Sequence, residues 1–173
     1  MQEHLMTICG TEDRLSLILR GGNVLRYHAE GDIGPQSVAA HTWRLMVVLL
    51  HLWPNASESL LRTALYHDVP EGFVGDIPAP VKRHPHIKAA VDALEAEFAA
   101  YLQLPDERDL SEEDYLRFKI SDYLELCVTC AATPGANAAR IYATGKRYVL
   151  EYAKSLIEDE AFRVYEFIKK MEG

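Results

Sequence analysis

A chain of 173 residues, 49% of them hydrophobic and with a formal charge of -8, has the size of one domain and should bury roughly 70% of its unfolded surface. That acidic balance argues against a nucleic-acid partner, because broad phosphate-backbone binding needs an excess of Lys and Arg, so any anionic ligand must meet a local basic pocket. No stretch approaches the roughly 20 apolar residues of a membrane span. Met1-Gln2-Glu3-His4 lacks the basic region and apolar core of a secretory leader, so no membrane contact and a cytoplasmic location are expected.

Apolar residues recur at helical spacing in every long segment, without the sustained alternation of a half-buried strand. The pattern predicts an all-α, single-domain helical bundle over residues 1–173. The first helix is expected roughly from Glu12 to Arg20, closed by Gly21-Gly22, a pair suited to a C-cap and to backbone conformations that other residues avoid. A long irregular segment follows from Asn23 to Gln36. The second helix begins near Ser37, carries Val38, His41, Leu45, Met46 and Leu49, and stops at Pro54. Asn55-Ala56-Ser57-Glu58 has the form of a capping box, with a side-chain acceptor three residues ahead of a glutamate, and launches a helix running to His67-Asp68. The Gly and Pro residues between Gly72 and Pro80 argue against continued helix there.

Ile87 to Leu102 reads as an amphipathic helix. Ser111-Glu112-Glu113-Asp114 opens another, its acids complementing the helix dipole, with Asp122 about three turns in. Thr133-Pro134-Gly135 breaks the pattern, and Asn137 to about Ile157 and Glu160 to Met171 complete the bundle. Cys9 stands far from Cys127 and Cys130, an odd count that makes no disulfide framework. The C-x-x-C pair lies in a helical pattern and reads as two small packing thiols, with zinc or redox use as the alternative.

Chemistry concentrates in four side chains. His41 lies on an apolar helix face, His67-Asp68 closes the apolar run Leu60-Leu61-Arg62-Thr63-Ala64-Leu65-Tyr66, and Asp122 interrupts a third helix. Charge in a helical core is costly unless paired or coordinated. Mixed nitrogen and oxygen ligands suit a borderline divalent ion such as Zn, Mn, Co or Fe, and less well Mg. Neighbouring helical residues point about 100° apart, so His67 and Asp68 reach one ion only at the inner edge of the helix, beside the following loop. In the alternative reading the histidines merely pack and the aspartates cap helices or face solvent. The metal reading points to metal-assisted hydrolysis.

The set His41, His67-Asp68 and Asp122 resembles the H…HD…D signature of HD-domain phosphohydrolases. The stretch Tyr66 to Lys82, with the pattern H-D-x-x-E-x-x-x-G-D-x-P-x-P-x-K, is similar to a narrower branch. That branch contains bacterial 5'-deoxynucleotidases and small phage enzymes that hydrolyse deoxynucleoside triphosphates, notably dATP triphosphohydrolases. With Arg26-Tyr27-His28, Gln36-Ser37-Val38-Ala39-Ala40-His41 and Lys119-Ile120-Ser121-Asp122, the resemblance spans roughly residues 12 to 125.

The resemblance implies an HD-type bundle in which His41, His67, Asp68 and Asp122 hold a divalent metal (Co, Zn, Mn or Mg). Glu71 and Asp68 become the catalytic carboxylates, with Glu71 orienting or deprotonating the attacking water or protonating the leaving oxygen. Arg26, Lys82 and Lys119 would meet phosphates. Tyr27, Ala29, Asp76 and Pro80 would shape the sugar and base side. Tyr27 stands where bacterial relatives carry a tryptophan, and Ala29 where phage relatives carry a larger aliphatic residue. Asp76 and Pro80 could equally be turn residues. The expected reaction is dATP to deoxyadenosine and triphosphate, with a 5'-deoxynucleotidase and a non-catalytic nucleotide-binding HD module as alternatives. Expected partners are a small deoxynucleotide and further copies of the chain, since relatives form homo-oligomers, with Tyr148, Val149, Leu150 and Tyr152 offering an interface. If phage-encoded, the protein would work in the host cytoplasm.

Overall fold

The computed structural model describes residues 11–172; Cys9 and the leading tetrapeptide lie outside them. Helix starts follow local capping chemistry. Asp13 accepts from the Ser16 amide ahead of α1 (Arg14–Gly21), Ser37 from Ala40 ahead of α2 (Val38–Leu52), and Ser57 from Leu60 ahead of α3 (Glu58–Tyr66). The cap of α3 is thus Ser57 and not Asn55, because Ser57 immediately precedes the first helical residue. Two single turns follow, α4 (Glu71–Val74) and α5 (Ala79–Lys82), with Gly75 between them at a φ of 77°. The Gly and Pro residues there prevent a continuous helix but allow these turns. Then come α6 (Pro85–Tyr101), a 3-10 turn (Glu107–Asp109), α7 (Glu112–Ala131) capped by Ser111, α8 (Ala136–Ala153) and α9 (Glu158–Glu172).

Two local details differ from expectation. The segment between α1 and α2 contains a minimal antiparallel ladder, β1 (Leu25–Arg26) with β2 (Gln36–Ser37), in register Leu25 to Ser37 and Arg26 to Gln36. Strands of two residues are too short to show alternation. Gly22 has an ordinary helical φ of -61°, so the glycine pair is not a left-handed cap. Gly21 serves close approach: a Cβ there would fall 2.6 Å from the Val69 carbonyl oxygen.

The bundle holds two apolar clusters. The larger joins Leu45 and Leu49 of α2, Leu60 of α3, Phe118 and Leu124 of α7, Val149 of α8 and Val164 of α9. The smaller joins Leu17, Val69, Phe98 and Leu102. Full burial of side chains such as Leu45 and Leu60 contributes about 1.5–3 kcal/mol each. Ala64 belongs to the first cluster and Val69 to the second. His67-Asp68 therefore sits where the chain passes from one core to the other, anchored on both sides. Among the described residues, no helix is long and apolar enough to cross a membrane.

Candidate functional site

α2, the end of α3 and the middle of α7 bring the four sequence-singled residues together. His41 is fully buried, and its Nε2 lies 3.3 Å from His67 Nε2, 3.3 Å from Asp122 Oδ1 and 3.5 Å from Asp68 Oδ2. Asp68 Oδ1 is 3.2 Å from His67 Nε2. One donor atom each of His41, His67 and Asp122 lies within 4.8 Å of the others. Asp68 joins this trio by turning a different oxygen toward each histidine. The adjacency is possible because α3 ends at Tyr66, which leaves His67 and Asp68 at the frayed terminus.

The ring orientations are set from outside. His67 Nδ1 donates to the Ala64 carbonyl at 2.9 Å, while His41 Nδ1 lies 2.6 Å from Glu125 Oε2. With Nδ1 carrying the hydrogen in each ring, both Nε2 lone pairs face inward.

The charges around this centre are strongly perturbed. Burial alone would lower the His41 pKa, but hydrogen bonds to Asp122 and Glu125 outweigh it and raise it to about 9. Burial works against ionised Asp122 as well, yet its contact with His41 holds it at about 2. Asp68 likewise resists its burial, kept well below the ordinary carboxylate range by His67, Arg26 and His41. Burial and then repulsion from Asp68 push Glu71 up to about 9, and its Oε2 is buried with no hydrogen-bond partner. The same carboxylates that raise His41 would stabilise a cation there. Two inward imidazole nitrogens and two ionised carboxylates fit a divalent metal ion, which His41, His67, Asp68 and Asp122 would hold.

Above this centre opens a cavity of about 520 Å³ that receives the remaining sequence-singled residues. Glu71, the first residue of α4, lines it beside Asp68. Arg26 of β1 reaches in, its Nη1 3.8 Å from Asp68 Oδ2. Lys82 of α5 is paired with Glu95 at 2.8 Å. Lys119, about one turn before Asp122 on α7, is tied to Glu107 and lies 4.9 Å from the Phe118 ring centroid. Tyr27, Ala29, Asp76 and Pro80 form another part of the lining. Tyr27 has a φ of 60° and a buried hydroxyl with no partner, while Asp76 Oδ2 lies 3.4 Å from His28 Nδ1. A non-glycine residue in the left-handed region is strained, a feature that clusters at binding sites.

Sequence reasoning missed two parts of the site. Glu125 was legible in principle: it follows Asp122 by three residues, so it shares that face of α7, and it interrupts the apolar run Tyr123-Leu124-Glu125-Leu126-Cys127. The cavity wall made by Tyr123, Leu126, Ile141 and Tyr148 was not legible, because it requires knowing that α8 lies along α7. Tyr148 stacks on Tyr123 with centroids 4.9 Å apart. Val149 is fully buried, while Leu150 and Tyr152 are half-buried against the main core. Tyr152 also stacks on Tyr123 of α7, and Leu150 lines a groove on the outer surface of α8. Cys127 and Cys130 are buried free thiols.

These features define a helical bundle with a His-His-Asp-Asp centre beneath a basic cleft. The HD domain family model matches residues 22–123, which contain all four centre residues, and the chain belongs to that family. A dATP triphosphohydrolase of Salmonella phage PMBT28 is 31% identical over 91 residues, 45% of this chain and 47% of the relative. The match thus spans about half the length of that curated relative. The fold is shared with the HD phosphohydrolase DatZ of cyanophage S-2L, solved bound to dA and one catalytic Zn2+ ion. That structure has a TM-score of 0.75 at 20% identity, covering 91% of this chain and 95% of that one. A conserved hypothetical protein from Pyrococcus furiosus has a TM-score of 0.60 at 22% identity, covering 93% and 99%.

Proposed function

We propose that this protein is a metal-dependent deoxynucleoside triphosphate triphosphohydrolase that converts dATP to deoxyadenosine and triphosphate. The observation that carries the reading is the meeting of His41, His67 and Asp122 donor atoms within 4.8 Å, where Asp122 and the adjoining Asp68 open onto a cavity whose walls bear Arg26, Lys82 and Lys119. The part-length similarity to a phage dATP triphosphohydrolase supports the choice of substrate.

When bound, the divalent ion (Zn, Co, Mn or Mg) supplies Lewis-acid polarisation of the α-phosphate and makes the attacking water more acidic. The chain's own residues do the rest. Arg26, Lys82 and Lys119 bind and orient the phosphates, the guanidinium gripping oxygens in pairs and the lysines acting as point charges. Glu71, buried and raised to about 9, gives its own proton to the departing 5'-oxygen as the bond to the α-phosphorus breaks, and is reprotonated by the proton that the attacking water gives up. Asp68 would hold the ion and also keeps the Arg26 guanidinium near the centre. Tyr27, Ala29, Asp76 and Pro80 receive the sugar and base. Cations beyond those three, Arg83, Lys88 and Arg140, also line the cavity and favour a triphosphate over a monophosphate.

We further infer a cytoplasmic homo-oligomer. Trp43, Val47 and Leu50 form an exposed apolar stripe on the outer face of α2, Trp43 being 68% exposed, and mass measurement in solution tests that association.

Incubating metal-loaded protein with the four dNTPs, dAMP and ATP, and resolving triphosphate from orthophosphate, tests the activity. Free triphosphate from dATP is expected. Orthophosphate from dAMP would replace this reading with a 5'-deoxynucleotidase, and no product with any divalent ion would replace it with a non-catalytic binding module.

A further inference from the structure

The two histidines of the metal centre are anchored by different means. His67 uses a carbonyl of its own helix, Ala64 O at 2.9 Å. His41 instead places Nδ1 2.6 Å from Glu125 Oε2, with both side chains fully buried. The other Glu125 oxygen accepts from Gln36 Nε2 and from Thr129 Oγ1, each at 2.8 Å. A carboxylate in a helical core is tolerated only when its oxygens are fully partnered, and Glu125 meets three donors.

We propose that Glu125 is the positioning residue of the metal centre. It keeps the hydrogen of His41 on Nδ1, so that the bare Nε2 faces His67, Asp68 and Asp122. The same carboxylate ties β2 to α7 through Gln36, and the ladder partner of Gln36 is Arg26, which lies 3.8 Å from Asp68. Orientation of a metal ligand and placement of a phosphate-binding cation therefore share one anchor. A neutral amide is a poorer anchor than the carboxylate. Glutamine offers one accepting oxygen to three donors; turned so that its amide nitrogen faces His41, it would force the ring hydrogen onto Nε2. Turned the other way, its oxygen accepts from His41 without the negative charge, and the Gln36 amide must reverse to present its Oε1, which is otherwise buried without a partner.

The inference rests on the metal-binding reading above, and two measurements on the full chain separate them. In the first, metal-stripped protein is titrated with Co2+ or Zn2+. Glu125→Gln is expected to weaken apparent affinity by about 10–100-fold, the usual consequence of losing a carboxylate partner of a ligating histidine, and Glu125→Asp to recover part of it. In the second, proton NMR of zinc-loaded protein labelled with 15N-histidine should show two slowly exchanging Nδ1 protons, from His41 and His67. Glu125→Ala, which leaves no acceptor at His41 Nδ1, should lose the former alone. A purely structural role would lower the unfolding temperature and leave both readouts unchanged. Wild-type affinity in Glu125→Gln overturns the proposal. Should that variant not fold, absence of the His41 Nδ1 proton in zinc-loaded wild type overturns it equally. A wild-type protein that takes up no divalent ion overturns the metal reading as well.

Discussion

The Nε2 atoms of His41 and His67 lie 3.3 Å apart, each with its Nδ1 committed elsewhere. Two lone pairs aimed at one another at that distance repel unless a proton or a cation stands nearby.

The first prediction concerns pH. The folded His41 value of about 9 lies above the ordinary 6.5, so its contribution to metal-free stability is complete below 6.5 and lost as pH rises through 9. The ion needs the same lone pair, so apparent metal affinity should climb across that interval while proton release on binding declines. Thermal unfolding of metal-free protein followed from below 6.5 to above 9 should show this fall. A flat profile would contradict it.

Asp68 and Glu71 should separate by phenotype. Asp68→Ala removes a proposed metal ligand and the partner of Arg26, and should abolish turnover and metal retention together. Glu71→Gln removes only the proposed proton carrier, and should lower kcat by about 10²–10⁴-fold while metal content stays at the wild-type level. Elemental analysis of both purified variants, beside their rates, decides the matter; metal loss in Glu71→Gln would show its role to be misassigned.

Gly21→Ala tests the link between α1 and the His-Asp corner. The added Cβ would fall 2.6 Å from the Val69 carbonyl oxygen and 2.9 Å from the Val69 Cα, both backbone atoms. Overpacking of this kind costs about 1–3 kcal/mol. Denaturant unfolding should report a loss of that size, and displacement of Val69 should reduce activity although residue 21 touches no ligand. Wild-type stability would mean that α1 yields freely.

Lys82→Met and Lys119→Met should each raise KM for dATP by about 10–100-fold, the effect of losing a hydrogen bond to a charged group worth about 1.5–3 kcal/mol. Each lysine lines the cavity while paired to a carboxylate outside its lining, Glu95 and Glu107 respectively, so its ammonium group is already ordered before a phosphate arrives. Steady-state kinetics at several salt concentrations checks this, since the wild-type KM should rise with salt more steeply than that of either variant.

Helix positions, the Ser37 and Ser111 caps and the candidacy of His41, His67, Asp68 and Asp122 were all readable from the chain, because helical periodicity and capping are local and a charged residue in an apolar run is conspicuous wherever it falls. What local pattern cannot supply is the partner across a gap. Asp122 and Glu125 share one face of α7 and look alike in sequence, yet one reaches the lone-pair side of His41 and the other its Nδ1. That division is fixed by how α2 crosses α7. Gly21 ends α1 as its residue type suggests, but only the fold makes it a point of close backbone contact, and only the packing of α8 on α7 brings Tyr148 to the cleft. Composition and spacing thus determined the elements and the chemical inventory; the packing of α2, α7 and α8 decided which groups meet, because proximity between distant residues depends on interhelical geometry that no short-range pattern encodes.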